Sequence, residues 1–261
     1  MQVPIYVVDA FTGNRFSGNS AAVVLFDSYP EDALLQKIAA ENNLAETVYP
    51  LLRSDGNWEI RWFTPTVEVP LCGHATLASA HVLFNHIVPE ASQIEFVTRY
   101  SGNLVVQRQG DTFIMDFPAK ELMPSSDDLS SLIEFQPQEV LKCDQFIMAV
   151  MSEAVMVKDF RTDRSKILEL DCDGLIITAP GEDGYDCISR FFTPAQGIDE
   201  DPVTGGAHTM IAPYWIERLR LSEIKAYQAS ERGGEMICRL KGSRVELEGS
   251  CVDYLSGMIE V

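Results

Sequence analysis

Four side chains in this 261-residue chain combine acid–base chemistry with an unusual setting. Cys72 and His74 flank Gly73 in "PLCGHA", Asp201 lies in "DEDPVTGG", and Glu46 lies in "AENNLAETVY". After the first glycine turn, "ATLASAHVLF" (75–84) offers small or apolar residues on every face, which predicts a helix enclosed on all sides. A helix N-terminus has unpaired N–H groups and about half a positive charge. Glycine at 73, and at 205 and 206 in the second motif, lets backbone approach a ligand closely. Two such mouths can hold a carboxylate without lysine or arginine. The structural alternative is that Gly73 and Gly205 serve tight helix entries and His74 is a polar cap.

Asn42 and Asn43 read as the left-handed end of a helix, so Glu46 opens the strand that follows. It is either a solvated strand-edge glutamate or a partly desolvated carboxylate suited to general acid–base work. Asp201, directly before Pro202, could orient a substrate amine, share a proton with His74 or cap its turn. Cys72 is either a thiol activated by the helix N-terminus or a buried inert cysteine. Its counterpart in the second motif is Thr204, not a second thiol. Cofactor-free racemisation wants one group on each face of a carbon, so this pairing favours a single base. The four histidines (74, 81, 86 and 208) have no HExxH-like spacing, and no metal site is read from them.

The elements that must position these groups occur twice. "IRWFTP" (60–65) recurs as "SRFFTP" (189–194), each followed by a loop, a glycine turn and an uncharged helix start. "PIYVVDAF" then "SAAVVLF" is matched to "QFIMAVM" then "EAVMVKDF", "ETVYPLL" to "GLIITAP", and "IEFVTRYSGNLVVQ" to "IKAYQASERGGEMI". Each half reads as short strands, an amphipathic helix (about 31–42 and 163–170) and a central helix, with Pro213 predicting a kink or early break in the second. A Pro- and Ser-rich linker is expected at about 119–142. The expected domains are 1–118, to which a terminal strand at about 256–261 returns, and 119–255. The predicted fold is α+β, with each domain a barrel-like curved sheet around its central helix, and the two helix mouths meeting at a ligand cleft.

Hydrophobic residues make up 46% of the chain and charged ones 23%, enough for one large core or two ordinary ones. A net charge of −19 without a basic block argues against nucleic acid as a partner. No apolar run reaches membrane-spanning length and "MQVPIYVVDAF" lacks signal-peptide features, so a soluble cytoplasmic protein is expected. Six cysteines without a CxxC pair read as reduced core thiols.

"VDAFTGNRFSGNSAAVVL" (8–25), "AENNLAETVY" (40–49), "RWFTPTVEVPLCGHATLASAHVL" (61–83) and "DEDPVTGGAHTMIAPYW" (199–215) together resemble the phenazine-biosynthesis-like (PhzF) family, which shares the diaminopimelate epimerase fold. The resemblance implies two similar domains, an active site between them, no metal or organic cofactor, and a homodimer, for which the sequence carries no interface signature. It implies that Glu46 moves a proton between carbons, with His74 and Asp201 as its catalytic partners. Asn19, Cys72, Gly73, Thr204, Gly205 and Gly206 fall in the motifs that would bind substrate. The epimerase branch uses two cysteines; Thr204 stands in place of the second. Ser20 and Gly206 depart from the family's usual proline and serine, so phenazine synthesis is not predicted. The expected function is a cofactor-independent isomerase acting on a small amino-acid-like or cyclic carboxylate. The alternatives are a Cys72-dependent racemase or dehydratase, and a non-catalytic binding protein of the same fold.

Overall fold

The structure, a computed structural model, describes residues 1–161 and 163–261. The chain divides into two compact units, Met1–Asp116 with Glu248–Val261, and Phe117–Leu247. The first carries β1 (Gln2–Ala10), β2 (Asn19–Val24), α1 (Asp32–Asn42), β3 (Glu46–Leu52), β4 (Trp58–Phe63), β5 (Glu68–Val69), α2 (Gly73–Val82), β6 (Gln93–Val97), β7 (Asn103–Gln109) and most of β8 (Thr112–Pro118). The second carries β9 (Met123–Pro124), β10 (Glu139–Cys143), β11 (Phe146–Val150), α3 (Ala154–Lys158), α4 (Arg164–Leu168), β12 (Gly174–Pro180), β13 (Cys187–Thr193), β14 (Ile198–Asp201), α5 (Gly205–Leu219), β15 (Glu223–Gln228) and β16 (Gly234–Lys241). The last strand, β17 (Arg244–Glu260), begins in the second unit and then returns to the first, where it pairs antiparallel with β1.

The duplication is expressed strand by strand. In the first unit β1–β2 is antiparallel, β2–β3 parallel, β3–β4 and β4–β5 antiparallel, β4–β6 parallel and β6–β7 antiparallel. In the second, β10–β11, β11–β12, β12–β13, β13–β14, β13–β15 and β15–β16 repeat those senses in the same order. Parallel neighbours need a crossover, and helices supply each one: α1 and α2 in the first unit, α3 with α4 and then α5 in the second. Each unit is thus a curved sheet about a central helix.

Helix α2 is enclosed as its composition predicts, every residue from His74 to Val82 being buried. Its hydroxyls are satisfied within the helix: Thr76 Oγ1 donates to the Cys72 carbonyl at 2.6 Å and Ser79 Oγ to that of Ala75 at 2.8 Å. The early break that Pro213 allowed does not occur, and the helix runs on past Pro213 to Leu219. Proline removes the N–H that would have bonded Thr209 O, and the Lys120 N–H takes that carbonyl instead at 3.0 Å. An external donor thus repairs the helix.

Two sequence readings shift. "EAVMVKDF" was matched to a strand, yet Ala154–Lys158 is helical, with Ala154 and Val157 buried and Val155 exposed, a helical rather than alternating pattern. The counterpart of β2 is therefore β11, and that of β1 is β10. β9 and β10 both fall within or across the end of the stretch read as a linker, and Leu129, Leu132 and Ile133 from that stretch are buried in the second unit's core with Ile147, Val157 and Leu175. Its polar composition hid three core residues.

Candidate active site

The strands and helices of the first unit deliver four side chains to one place. The turn between β1 and β2 requires Gly18: its φ is +68°, and a Cβ there would lie 2.2 Å from Ala10 O. Asn19 then opens β2, fully buried, and its Nδ2 lies 3.1 Å from His74 Nδ1. Asn43 ends α1 in the left-handed conformation, as expected, and turns the chain so that Glu46 begins β3. Cys72, the N-cap of α2, sets its Sγ 3.4 Å from His74 Nδ1. Glu46 Oε2 stands 3.0 Å from His74 Nε2.

The His74 ring therefore has the thiol and the amide on its Nδ1 edge and the carboxylate at Nε2. The Glu46 approach is close but not aligned as a hydrogen bond, so Glu46 Oε2 and His74 Nε2 remain buried polar atoms without a hydrogen-bond partner. Such atoms are uncommon in a folded interior and often mark function. Burial alone would push the imidazole down, but Cys72 and then Glu46 more than offset it, and His74 is raised well above the usual histidine range. The Cys72 thiol is pushed up to about 11, by burial first and then by the Glu46 charge. This is the reverse of helix-dipole activation. Glu46, Cys72 and His74 also bring potential metal-ligand atoms within 4.8 Å of one another. No metal site was read from the histidine spacing, yet among the described residues this buried trio is a group that could hold an ion.

In the second unit Asp201 ends β14 and Thr204 is the N-cap of α5. The Thr204 hydroxyl donates to Asp201 Oδ2 at 2.5 Å, and the Thr204 N–H goes to the side chain of Gln228 at 2.8 Å. His208 Nδ1 faces Thr204 O at 2.8 Å, as Thr76 Oγ1 faces Cys72 O in the first unit. Neither Cys72 nor Thr204 caps its helix through its side chain, so the first-turn amides after Gly73 and Gly205 are not taken by an N-cap side chain. His74 is not a cap but the hub of the first cluster.

The recurrence of "R-x-F-T-P" has a structural cause. Arg61, 1% exposed, makes a bidentate pair with Glu68 (2.7 and 2.8 Å) and lies over the Phe63 ring. Arg190 does the same with Glu200 (2.7 and 2.8 Å) and Phe192. Each glutamate lies four residues before the N-cap, so the pair fixes the segment leading to the helix mouth. Serine hydroxyls hold these segments again: Ser101 Oγ donates to Pro70 O and Ser230 Oγ to Pro202 O. Sequence reasoning missed these supports and Gln228. The repeated "E-x-P-x-C/T-G" (68–73 and 200–205) was the available signal.

Two α+β units, each a curved sheet about a central helix whose glycine mouth carries polar side chains, define an epimerase-type fold. A hydroxyproline epimerase of Agrobacterium vitis shares that fold, at a TM-score of 0.61 and 9% identity over 99% of this chain and 92% of that one. The chain belongs to the phenazine biosynthesis-like (PhzF) family, whose model matches residues 8–257. It is 43% identical to an uncharacterized isomerase of Pseudomonas aeruginosa, with all of both chains covered. It also superposes on a PhzF-family protein of Enterococcus faecalis with a TM-score of 0.95 and 36% identity over the whole of each chain. No helix among the described residues is long and apolar enough to cross a membrane.

Proposed function

We propose that this protein is an isomerase that moves a proton on a small amino-acid-like or cyclic carboxylate, with Glu46 as the single acid–base group. The observation that carries the reading is the juxtaposition of Glu46 Oε2 and His74 Nε2, two buried atoms 3.0 Å apart without an aligned hydrogen bond. Glu46 takes a proton from carbon beside the carboxyl or an unsaturated system. The electron pair moves onto the conjugated oxygen, and the same carboxyl returns the proton to that carbon or a neighbouring one. No oxidant, reductant or leaving group is needed, so the step closes without a cofactor. The first-turn amides of α2, beginning at Gly73, suit the developing oxyanion, the kind of electrostatic contribution that is usually largest. His74 relays or steadies the proton on Glu46, with Asn19 and Cys72 fixing its ring. Asp201 keeps the catalytic role of orienting the substrate or relaying a proton, and Thr204, Gly205 and Gly206 the substrate-binding roles, that family membership suggests. The isomerase names of the relatives support the reaction class.

The test is solvent deuterium uptake in D2O, followed by mass spectrometry across a panel of amino and cyclic carboxylates. Wild type should label a substrate that Glu46→Gln binds but does not label. Continued exchange by Glu46→Gln would remove Glu46 from the base role. A Cys72 base is the weaker reading because its thiol is held protonated.

A further inference from the structure

We infer that Gln228 is a positioning residue that sets the geometry of Asp201 and Thr204 from the neighbouring strand. Gln228 ends β15, is 1% exposed, and spends its side-chain amide on the turn before α5. Its Oε1 accepts the Thr204 N–H at 2.8 Å, while its Nε2 donates to Asp201 O at 2.7 Å and reaches Thr204 Oγ1 at 3.2 Å. These bonds give the network a direction. Because Thr204 Oγ1 accepts from Gln228, its own proton is directed to Asp201 Oδ2. The Thr204 amide, which would otherwise be a donor at the helix mouth, is committed to Gln228, and ligand recognition there falls to the amides that follow.

A general need to brace a helix mouth does not explain this arrangement. Both units already use an arginine–glutamate pair and a serine on the proline carbonyl for that purpose. The residue matching Gln228 in the first unit is Thr98, whose hydroxyl bonds Gly102 O inside its own loop and leaves the α2 mouth alone. The glutamine is thus an addition found where Asp201 and Thr204 are. Its functional meaning rests on assigning those two residues to the site, an assignment that Asp201→Asn in the deuterium-uptake assay checks separately.

The test uses the full chain, selectively labelled at aspartate carboxyl carbons, with amide exchange read residue by residue. Gln228→Glu keeps an acceptor for Thr204 N–H but loses both donors, so the Asp201 carboxyl resonance should move while Thr204 amide exchange stays slow. Gln228→Met loses everything: the Asp201 resonance should move, and the Thr204 amide should exchange about ten-fold faster, the factor expected for one hydrogen bond of ordinary net strength. Ser152→Ala, which removes a hydroxyl that bonds Met156 Sδ away from this strand, should change neither signal. An unmoved Asp201 resonance in Gln228→Glu overturns the inference, as does acceleration spread evenly along α5 in both variants, which is the mark of a merely structural residue. Should Gln228→Met not fold, Gln228→Glu alone decides between these outcomes.

Discussion

His74 Nε2 lies 3.0 Å from Glu46 Oε2, although one residue sits in the first turn of α2 and the other at the start of β3. The pair exists because α1 ends on a left-handed Asn43 and α2 begins on a glycine, so both side chains start at the edge of their element. If the pair acts as one unit, its two removals will not add. Glu46→Gln should lower proton exchange by about 10²–10⁴-fold. His74→Gln should lower it comparably, and the double variant little further. Rates of deuterium uptake measure all three.

Cys72 should behave as an inert thiol. With its titration near 11, only about one part in 10⁴ is thiolate at pH 7, and the side chain is buried. Native protein should therefore resist iodoacetamide at Cys72 until it is unfolded, as judged by peptide mass mapping. Cys72→Ala should cost proton exchange far less than Glu46→Gln does; the opposite ranking would return the base role to Cys72.

His208 makes a signed prediction about acid stability. Burial lowers its imidazole to about 4 in the folded state, against about 6.5 unfolded. The unfolded chain therefore binds more protons between those values, and stability falls as the pH drops from 6.5 to 4, by about 3 kcal/mol at the low end. Urea unfolding of wild type and His208→Gln across this range should show a shallower loss in the variant. His74 has the opposite sign. Its raised value adds stability that is complete below about 6.5 and disappears as the pH rises through the folded value.

Breaking an arginine lock should be costly. Glu68→Ala leaves the buried Arg61 with Asp32 alone, a partner that is 68% exposed, and should destabilise the first unit by about 3 kcal/mol. Arg61→Met combined with Glu68→Leu should recover much of that stability, because no charge is then left buried. Denaturant midpoints distinguish the two variants.

Gly206 should tolerate a side chain. Its φ is not in the left-handed region, and a Cβ there would meet nothing within 4 Å. Gly206→Ala should leave stability unchanged or raise it by up to about 1 kcal/mol. A loss in the melting temperature would show that the glycine serves the fold rather than leaving room beside the α5 mouth.

The sequence determined what is local or periodic. The helix enclosed on every side, the asparagine that ends α1, Glu46 at a strand start and the doubled "F-T-P" segments all follow from side-chain pattern and turn chemistry within a few residues, and each is present. Misreadings arose where a distant partner overrode local preference. Pro213 breaks no helix because Lys120, far away in sequence, satisfies the carbonyl that it strands. Leu129, Leu132 and Ile133 are core because neighbouring elements bury them, whatever the polarity around them. The site divides in the same way. Its residue types could be picked out from the chain, but the convergence of Cys72 and Glu46 on the His74 ring, and the capture of Thr204 by Gln228, are contacts between elements that pattern does not encode. Tertiary structure decided them, because a thiol's protonation and a hydroxyl's direction depend on what burial and folding place within hydrogen-bonding distance.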